Sequence, residues 1–201
     1  MNNLYFVRHA RPDFSIKEDL LRPLTEEGKN DCKAVTDFLL LKDITKIYSS
    51  PYKRSIDTIE GFAEASGLEI NIIEDFRERK ISRQWIEDFG TFSKKQWNDF
   101  DYKLSDGESL NEVQERNIRE LKNILEETKN ENIVIATHGT ALSTIINYYD
   151  KNFDYSQFKR IKDLMPFIVS ISFDGENIIK IEEFILIWYN DFRQKVLNIN
   201  I

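Results

Sequence analysis

Apolar residues in this chain fall into short runs separated by longer stretches where they are spaced. The runs 3–8, Ile44 to Tyr48, Leu68 to Ile73 and 132–137 are rich in β-branched and aromatic residues and read as buried strands. Between the first two, Thr25-Glu26-Glu27-Gly28 opens a helix running to about Leu41. Thr25 suits the N-cap, and the acidic residues suit the first turn. A helix from Tyr52 to about Ala65 stops at Gly67, a residue type favoured just past a helix end. The stretch from Ser109 to about Lys129 carries Leu110, Val113, Ile118, Leu121, Ile124 and Leu125 at mostly helical spacing, one buried stripe. A helix follows from Gly139 to about Tyr149, with another helical piece over Tyr155–Lys162. Phe167–Phe173 and Ile178–Leu186 read as a hairpin turning at Asp174-Gly175.

Strands alternating with helices predict a three-layer α/β/α sandwich, its sheet mostly parallel with an antiparallel addition. One domain is expected over 1–201, without internal repeat or linker. Residues 74–108 break the pattern. Trp85, Phe89, Phe92, Trp97, Phe100 and Tyr102, interrupted by Gly90 and Gly107, predict a compact, partly helical insertion over about 79–108 with apolar contacts of its own. No basic stripe accompanies these rings, so a small lid or core is expected rather than a base-stacking platform. The tail from Trp188 to Ile201 has two readings, packing on the sheet edge or serving a homodimer.

Composition narrows the function. A chain of 201 residues, 41% hydrophobic and 31% charged, resembles an ordinary soluble domain. Its formal net charge of −7 disfavours nucleic acid, which asks for a basic face, yet permits a small anion in a locally basic pocket. No run of about 18 apolar residues is present, so no membrane partner is expected. The first strand starts almost at once, without a charged, apolar, small-residue leader. One cysteine permits no internal disulfide, and the expected location is the cytoplasm.

Only two histidines occur, and each ends an apolar run: His9 after Leu4 to Arg8, His138 after Ile133 to Thr137. Strand ends in an α/β fold open onto the crevice where ligands bind. Competing chemistries fail. A cysteine phosphatase needs Cys-x5-Arg, but Phe38 stands six residues after Cys32, which reads as an inert helix residue. Asp99-Phe100-Asp101 follows no apolar strand, no Walker glycine loop occurs, and two distant histidines make no metal-ligand cluster.

Five segments then occur in order: Arg8-His9-Ala10, Leu24-Thr25-Glu26-Glu27-Gly28, Ser49-Ser50-Pro51-Tyr52-Lys53-Arg54, Glu78 in Phe76-Arg77-Glu78, and Thr137-His138-Gly139. Together they resemble the histidine phosphatase superfamily, in its phosphoglycerate mutase-like branch, from residue 4 to roughly 145; Gly107-Glu108-Ser109 adds to the likeness. The resemblance implies the phosphoglycerate mutase-like fold and a phosphatase needing no cofactor and no metal, acting on a small phosphorylated metabolite. His9 would be the nucleophile, forming a phosphohistidine. Arg8 and Arg54 would supply forked donors to the phosphoryl oxygens, and a protonated His138 a third positive donor. Glu78 would protonate the leaving group and later activate water.

The chain also departs from that pattern. Arg11-Pro12-Asp13-Phe14-Ser15 stands where the family places Thr-x-x-Asn, so Ser15 is either a substitute phosphate donor or a solvated loop serine. Thr140 is a candidate phosphate contact, a helix N-terminal cap, or both. Arg79-Lys80-Ile81-Ser82-Arg83-Gln84-Trp85 replaces the family's glycine and Trp-Glu-Gly run after the acid. The segment from Glu78 to His138 is short, and 86–108 is acidic and aromatic, which favours hydrolysis over mutase chemistry. A phosphoglycerate mutase and a non-catalytic phosphate-binding module remain the alternatives.

Overall fold

The computed structural model describes residues 1–189 and 193–200, with side chains to residue 186. The four apolar runs become strands β1 (Asn2–Arg8), β2 (Lys46–Ser49), β3 (Ile70–Ile72) and β4 (Asn132–Thr137). The hairpin forms from β5 (Phe167–Asp174) and β6 (Asn177–Tyr189), with β7 (Arg193–Asn200) after it. The helices are α1 (Glu26–Leu40), α2 (Lys53–Ser66), α3 (Phe89–Asn98), α4 (Leu110–Glu127), α5 (Gly139–Tyr149) and α6 (Tyr155–Ile161).

The strands make one sheet in the order β3-β2-β4-β1-β5-β6-β7. The β3, β2, β4 and β1 pairings are parallel. Those joining β1 to β5, β5 to β6 and β6 to β7 are antiparallel. The antiparallel addition is thus one strand wider than the expected hairpin. Of the two readings of the tail, the backbone of β7 takes the sheet edge, pairing Tyr189 with Arg193 through to Glu182 with Asn200. Residues 190–192 and 201, and the tail's side chains, lie outside the described residues.

Two-residue alternation sorts the central strands onto two faces. Leu4 and Phe6 of β1, with Ile133 and Ile135 of β4, meet α4, α5 and α6. Val7, Val134 and Ala136 face the other way, against Val35, Phe38 and Leu39 of α1 and Ile59 and Phe62 of α2. Covering both faces explains why these strands read as continuous apolar runs. The expected stripe of α4 is its buried face, and each such side chain contributes about 1.5–3 kcal/mol on burial. Local signals set the ends: Thr25 Oγ1 accepts from Gly28 N, Ser109 and Glu112 form a capping box, and Gly67 closes α2 at φ 71°.

The aromatic segment is partly helical and makes contacts of its own, but they do not close it on itself. Phe92 and Tyr102 do meet each other at 5.9 Å between ring centroids. Trp97, however, stacks on Phe158 at 5.4 Å and meets Phe100 and Phe153, and so joins the main core rather than a core of the segment's own. An aromatic face that large is better buried against α6 than against a short segment with few apolar partners. Among the described residues no helix is long and apolar enough to cross a membrane.

Candidate active site

Because β1, β2 and β4 are parallel, their C-terminal ends share one edge of the sheet. Hydrogen bonding continues one residue past them: His9 N donates to Thr137 O at 3.2 Å, and Ser50 N to Ala136 O at 2.9 Å. The loops leaving the three strands are therefore pinned side by side, and the rings of His9 and His138 lie 5.3 Å apart, both buried.

His9 Nδ1 lies 2.8 Å from its neighbour's carbonyl, Ala10 O. A carbonyl only accepts, so Nδ1 carries the proton and Nε2 presents a lone pair. Burial, reinforced by the charges of Arg54, Arg8 and Arg22, holds the His9 pKa well below the usual histidine range. The ring is neutral at pH 7, with its tautomer fixed by a single local contact.

His138 Nε2 is 2.7 Å from Ser50 Oγ and 3.3 Å from Ser55 Oγ. Ser50 Oγ accepts from Tyr52 N at 3.2 Å, and among the described contacts Nε2 is the acceptor its own proton meets. That arrangement puts the ring proton on Nδ1, which is buried and has no hydrogen-bond partner. Sequence reading made His138 a positive donor on condition that it is protonated. Burial first, then Arg54 and His9, push its pKa well below the usual range, so the ring is neutral.

Two arginines flank the pair. Arg8 Nη1 donates to Ile161 O at 2.8 Å and Leu164 O at 3.1 Å, at the C-terminal end of α6. Its guanidinium lies against Gly139, where a Cβ would sit 3.0 Å from Cζ, so a larger residue there would push the guanidinium aside. Burial lowers the Arg8 pKa to about 10, which still leaves a cation at neutral pH. Arg54, in the first turn of α2 and 2% exposed, donates from Nη1 to Asp19 O at 2.6 Å and pairs with Asp19 Oδ1 at 3.1 Å. Its guanidinium also lies over the Tyr52 ring at 4.9 Å, and that ring meets His138 edge-on at 5.0 Å.

Glu78 follows β3 through a 3-10 turn over Glu74–Phe76. Its carboxylate accepts from Arg79 N at 2.7 Å, Thr140 N at 3.0 Å and Ala141 N at 3.2 Å. The last two are unpaired amides of the first turn of α5, a natural seat for an anion. Arg116 of α4 holds this segment from behind, donating to the carbonyls of Asp75, Arg77 and Glu78 at 2.6, 2.9 and 3.3 Å. Glu108 gathers Arg116 Nε, Arg77 Nη2 and Lys80 N at 2.8–2.9 Å, tying the start of α4 to the same segment.

Residues 4–180 match the description Histidine phosphatase superfamily (branch 1). The chain belongs to that superfamily. Phosphoserine phosphatase 1 of Hydrogenobacter thermophilus is 31% identical over 159 residues, covering 69% of this chain and 71% of the relative. A probable phosphoglycerate mutase of Serratia proteamaculans is 27% identical over 161 residues, covering 73% and 74%. Among solved structures, Bacillus stearothermophilus YhfR superposes with a TM-score of 0.74 at 21% identity, over 89% of this chain and 95% of that one. The phosphoserine phosphatase of Entamoeba histolytica in complex with 3-phosphoglyceric acid gives 0.72 at 20% identity, over 89% and 94%. The structural likenesses show the phosphoglycerate mutase-like fold.

Within this member of the superfamily, Arg8, His9, Arg54, Glu78 and His138 come together at one sheet edge. Thr140 is present through its amide rather than its hydroxyl, and the N-cap of α5 is His138, without a side-chain cap. Ser15 stays away: it is exposed, and its amide and hydroxyl both bond Asp13 Oδ1, at 2.9 and 2.6 Å. Sequence reasoning passed over Ser50, Tyr52 and Ser55. The first two lay inside the quoted Ser-Ser-Pro-Tyr-Lys-Arg motif, and Ser55 directly follows it. It also passed over Asp19, Arg22 and Arg116, for which no motif gave a signal.

Proposed function

We propose that this chain is a phosphatase hydrolysing small phosphomonoesters through a phosphohistidine on His9. The observation that carries the reading is the tautomer of His9. Ala10 O accepts from the Nδ1–H, so the neutral ring keeps its lone pair on Nε2, within the field of Arg8 and Arg54. Nε2 attacks phosphorus in line as the P–O ester bond breaks, and Glu78 in its acid form gives the leaving oxygen a proton. Glu78, now a carboxylate, takes a proton from water. The water oxygen bonds phosphorus, the N–P bond breaks, and the lone pair returns to Nε2 as phosphate leaves.

The charge spread over the phosphoryl oxygens is met by Arg8, by Arg54 and by the unpartnered Nδ1–H of His138. Glu78 now rests on the amides of Thr140 and Ala141, and a phosphoryl oxygen seated there would release the carboxyl for proton transfer. With Ser15 committed to Asp13, the phosphate seat is built without it. The substrate class is a small phosphorylated metabolite, as in the relatives named for phosphoserine and phosphoglycerate. One domain over 1–201, with 79–108 as a segment beside the site, is the organisation that goes with this reading.

Hydrolysis is favoured over phosphoryl isomerisation because the stretch 86–108 is acidic and aromatic, and its largest ring, Trp97, goes into the core. The similarity to a probable phosphoglycerate mutase keeps isomerisation as the second reading. A panel of phosphomonoesters that includes phosphoserine, 3-phosphoglycerate and nitrophenyl phosphate separates them. Phosphate release together with an acid-labile, base-stable phosphoenzyme is expected. Isomerisation of 3-phosphoglycerate as fast as phosphate release would make the chain a mutase. Neither release nor labelling would make it a binding module.

A further inference from the structure

The connection between β1 and α1 is a closed loop. Pro12 and Leu24 bridge at its neck, where Asp13 N donates to Pro23 O at 2.8 Å. Inside it lies an arginine that no motif marks. The Arg22 side chain is 8% exposed and donates from Nε to Ile16 O at 2.8 Å and from Nη2 to Lys17 O at 3.3 Å. Its Nη1 pairs with Asp19 Oδ1 at 2.7 Å. That same Asp19 oxygen lies 3.1 Å from Arg54 Nη1, which also holds the Asp19 carbonyl. One carboxylate is thus shared by two buried guanidiniums, and the charge of Arg22 is felt at both His9 and Arg54.

This sharing has a purpose if Arg54 binds a phosphoryl group. Asp19 fixes the Arg54 fork from behind, but alone it would cancel the charge of Arg54 and repel a dianion arriving on the other side. Arg22 offsets the carboxylate and leaves Arg54 both oriented and positive. We propose that Asp19 and Arg22 form a positioning pair for Arg54, in which the Asp19 main-chain carbonyl aims the guanidinium and Arg22 neutralises the Asp19 carboxylate so that a phosphoryl dianion can bind. The proposal rests on the reading of Arg54 as a phosphoryl donor. Nothing in it requires Arg22 to touch substrate. A purely structural role is the competing account, since two of the three Arg22 hydrogen bonds go to loop carbonyls.

Calorimetric titration of the full chain with inorganic phosphate at neutral pH distinguishes them. Arg22→Met should weaken phosphate binding roughly tenfold, the scale of one partly screened charge contact. Asp19→Asn keeps the main-chain carbonyl on Arg54 and should bind at least as tightly as the parent. The double variant Asp19→Asn/Arg22→Met should recover to within about threefold of the parent, because the uncompensated carboxylate is gone. In turnover, Arg22→Met should raise KM for nitrophenyl phosphate with a smaller fall in kcat, because Arg54 also meets charge in the transfer step. A double variant as weak as Arg22→Met would overturn the pair, as would an Arg22→Met protein that binds phosphate like the parent, or a tenfold loss in Asp19→Asn. A parent chain that binds no phosphate would instead overturn the phosphate-site reading on which the pair rests.

Discussion

The sheet edge holding His9 and His138 and the loops closing over it obey different rules. At the edge, both imidazoles and both arginines are buried and held by specific contacts: Ala10 O fixes one imidazole, Ser50 the other, and three amides hold Glu78. Over it, the 13–22 loop exposes Phe14, Ile16, Leu20 and Leu21, and across from it Trp85 is 58% exposed. The two parts meet at Arg54, which belongs to the edge but is gripped by Asp19 of the loop. On the proposed function, the packed sheet edge fixes the reaction, while irregular loops meet whatever the phosphoryl group is attached to. Four experiments break or sharpen that contrast.

The largest effect belongs to the edge. His9→Ala removes the lone pair at the centre of the arrangement and should cost on the order of 10⁴-fold or more in kcat, with loss of the acid-labile phosphoenzyme. Turnover surviving within tenfold would place the nucleophile elsewhere. Next comes Glu78→Gln, which keeps the shape but cannot cycle a proton. Alkyl phosphates, whose leaving groups need that proton, should slow about 10²-fold or more, and nitrophenyl phosphate far less. Equal losses on both substrates would point to a different acid.

The same contrast explains what was legible in the sequence. Strand ends, helix caps and short motifs are local, so the positions of Arg8, His9, Arg54 and His138 could be read from runs of neighbours. So could Thr25, Gly67 and Ser109, where a single residue type answers a single backbone need. The neutrality of His138 could not, because it depends on burial and on Arg54, distant in the chain. Trp97 was assigned to a local cluster because its partners Phe153 and Phe158 lie far along the chain. Asp19 and Arg22 sit in a loop without period, where contacts arise only once the neck closes. Strand β7 was left undecided because edge pairing leaves little mark on a tail, which needs only one partner.

Smaller but still measurable is the cost in stability of keeping two imidazoles neutral. In the unfolded chain they titrate near pH 6.5, whereas in the fold burial and neighbouring arginines depress both. Below pH 6.5 the unfolded state therefore binds protons that the folded state refuses, and stability falls as pH falls. The slope is bounded at about 1.4 kcal/mol per pH unit for each histidine. Urea unfolding between pH 7 and pH 5 measures it, and His138→Gln should remove about half of the histidine contribution. A flat profile over that range would mean that the edge tolerates charged imidazoles.

The smallest effect on folding, and the one that tests the loops, comes from Trp85. Unlike Trp97, which is 8% exposed and stacked on Phe158, its ring is mostly open and carries Lys17 Nζ at 3.7 Å from its centroid. Lys17 lies in the loop whose Asp19 holds Arg54, so this contact joins the 79–88 stretch to the rim of the site. An exposed cation–π contact contributes about 0.5–1 kcal/mol, part of which solvent replaces, so Trp85→Ala should shift unfolding by only about 0.5 kcal/mol. Hydrolysis of nitrophenyl phosphate should keep its kcat, because no group at the strand ends moves. If the ring beside Lys17 takes part in choosing the substrate, the ratio of kcat/KM values between a bulky apolar phosphomonoester and a small polar one should change severalfold. If that ratio holds while stability drops by several kcal/mol, the ring belongs to the scaffold, and the division between a fixed edge and a discriminating rim fails at this residue.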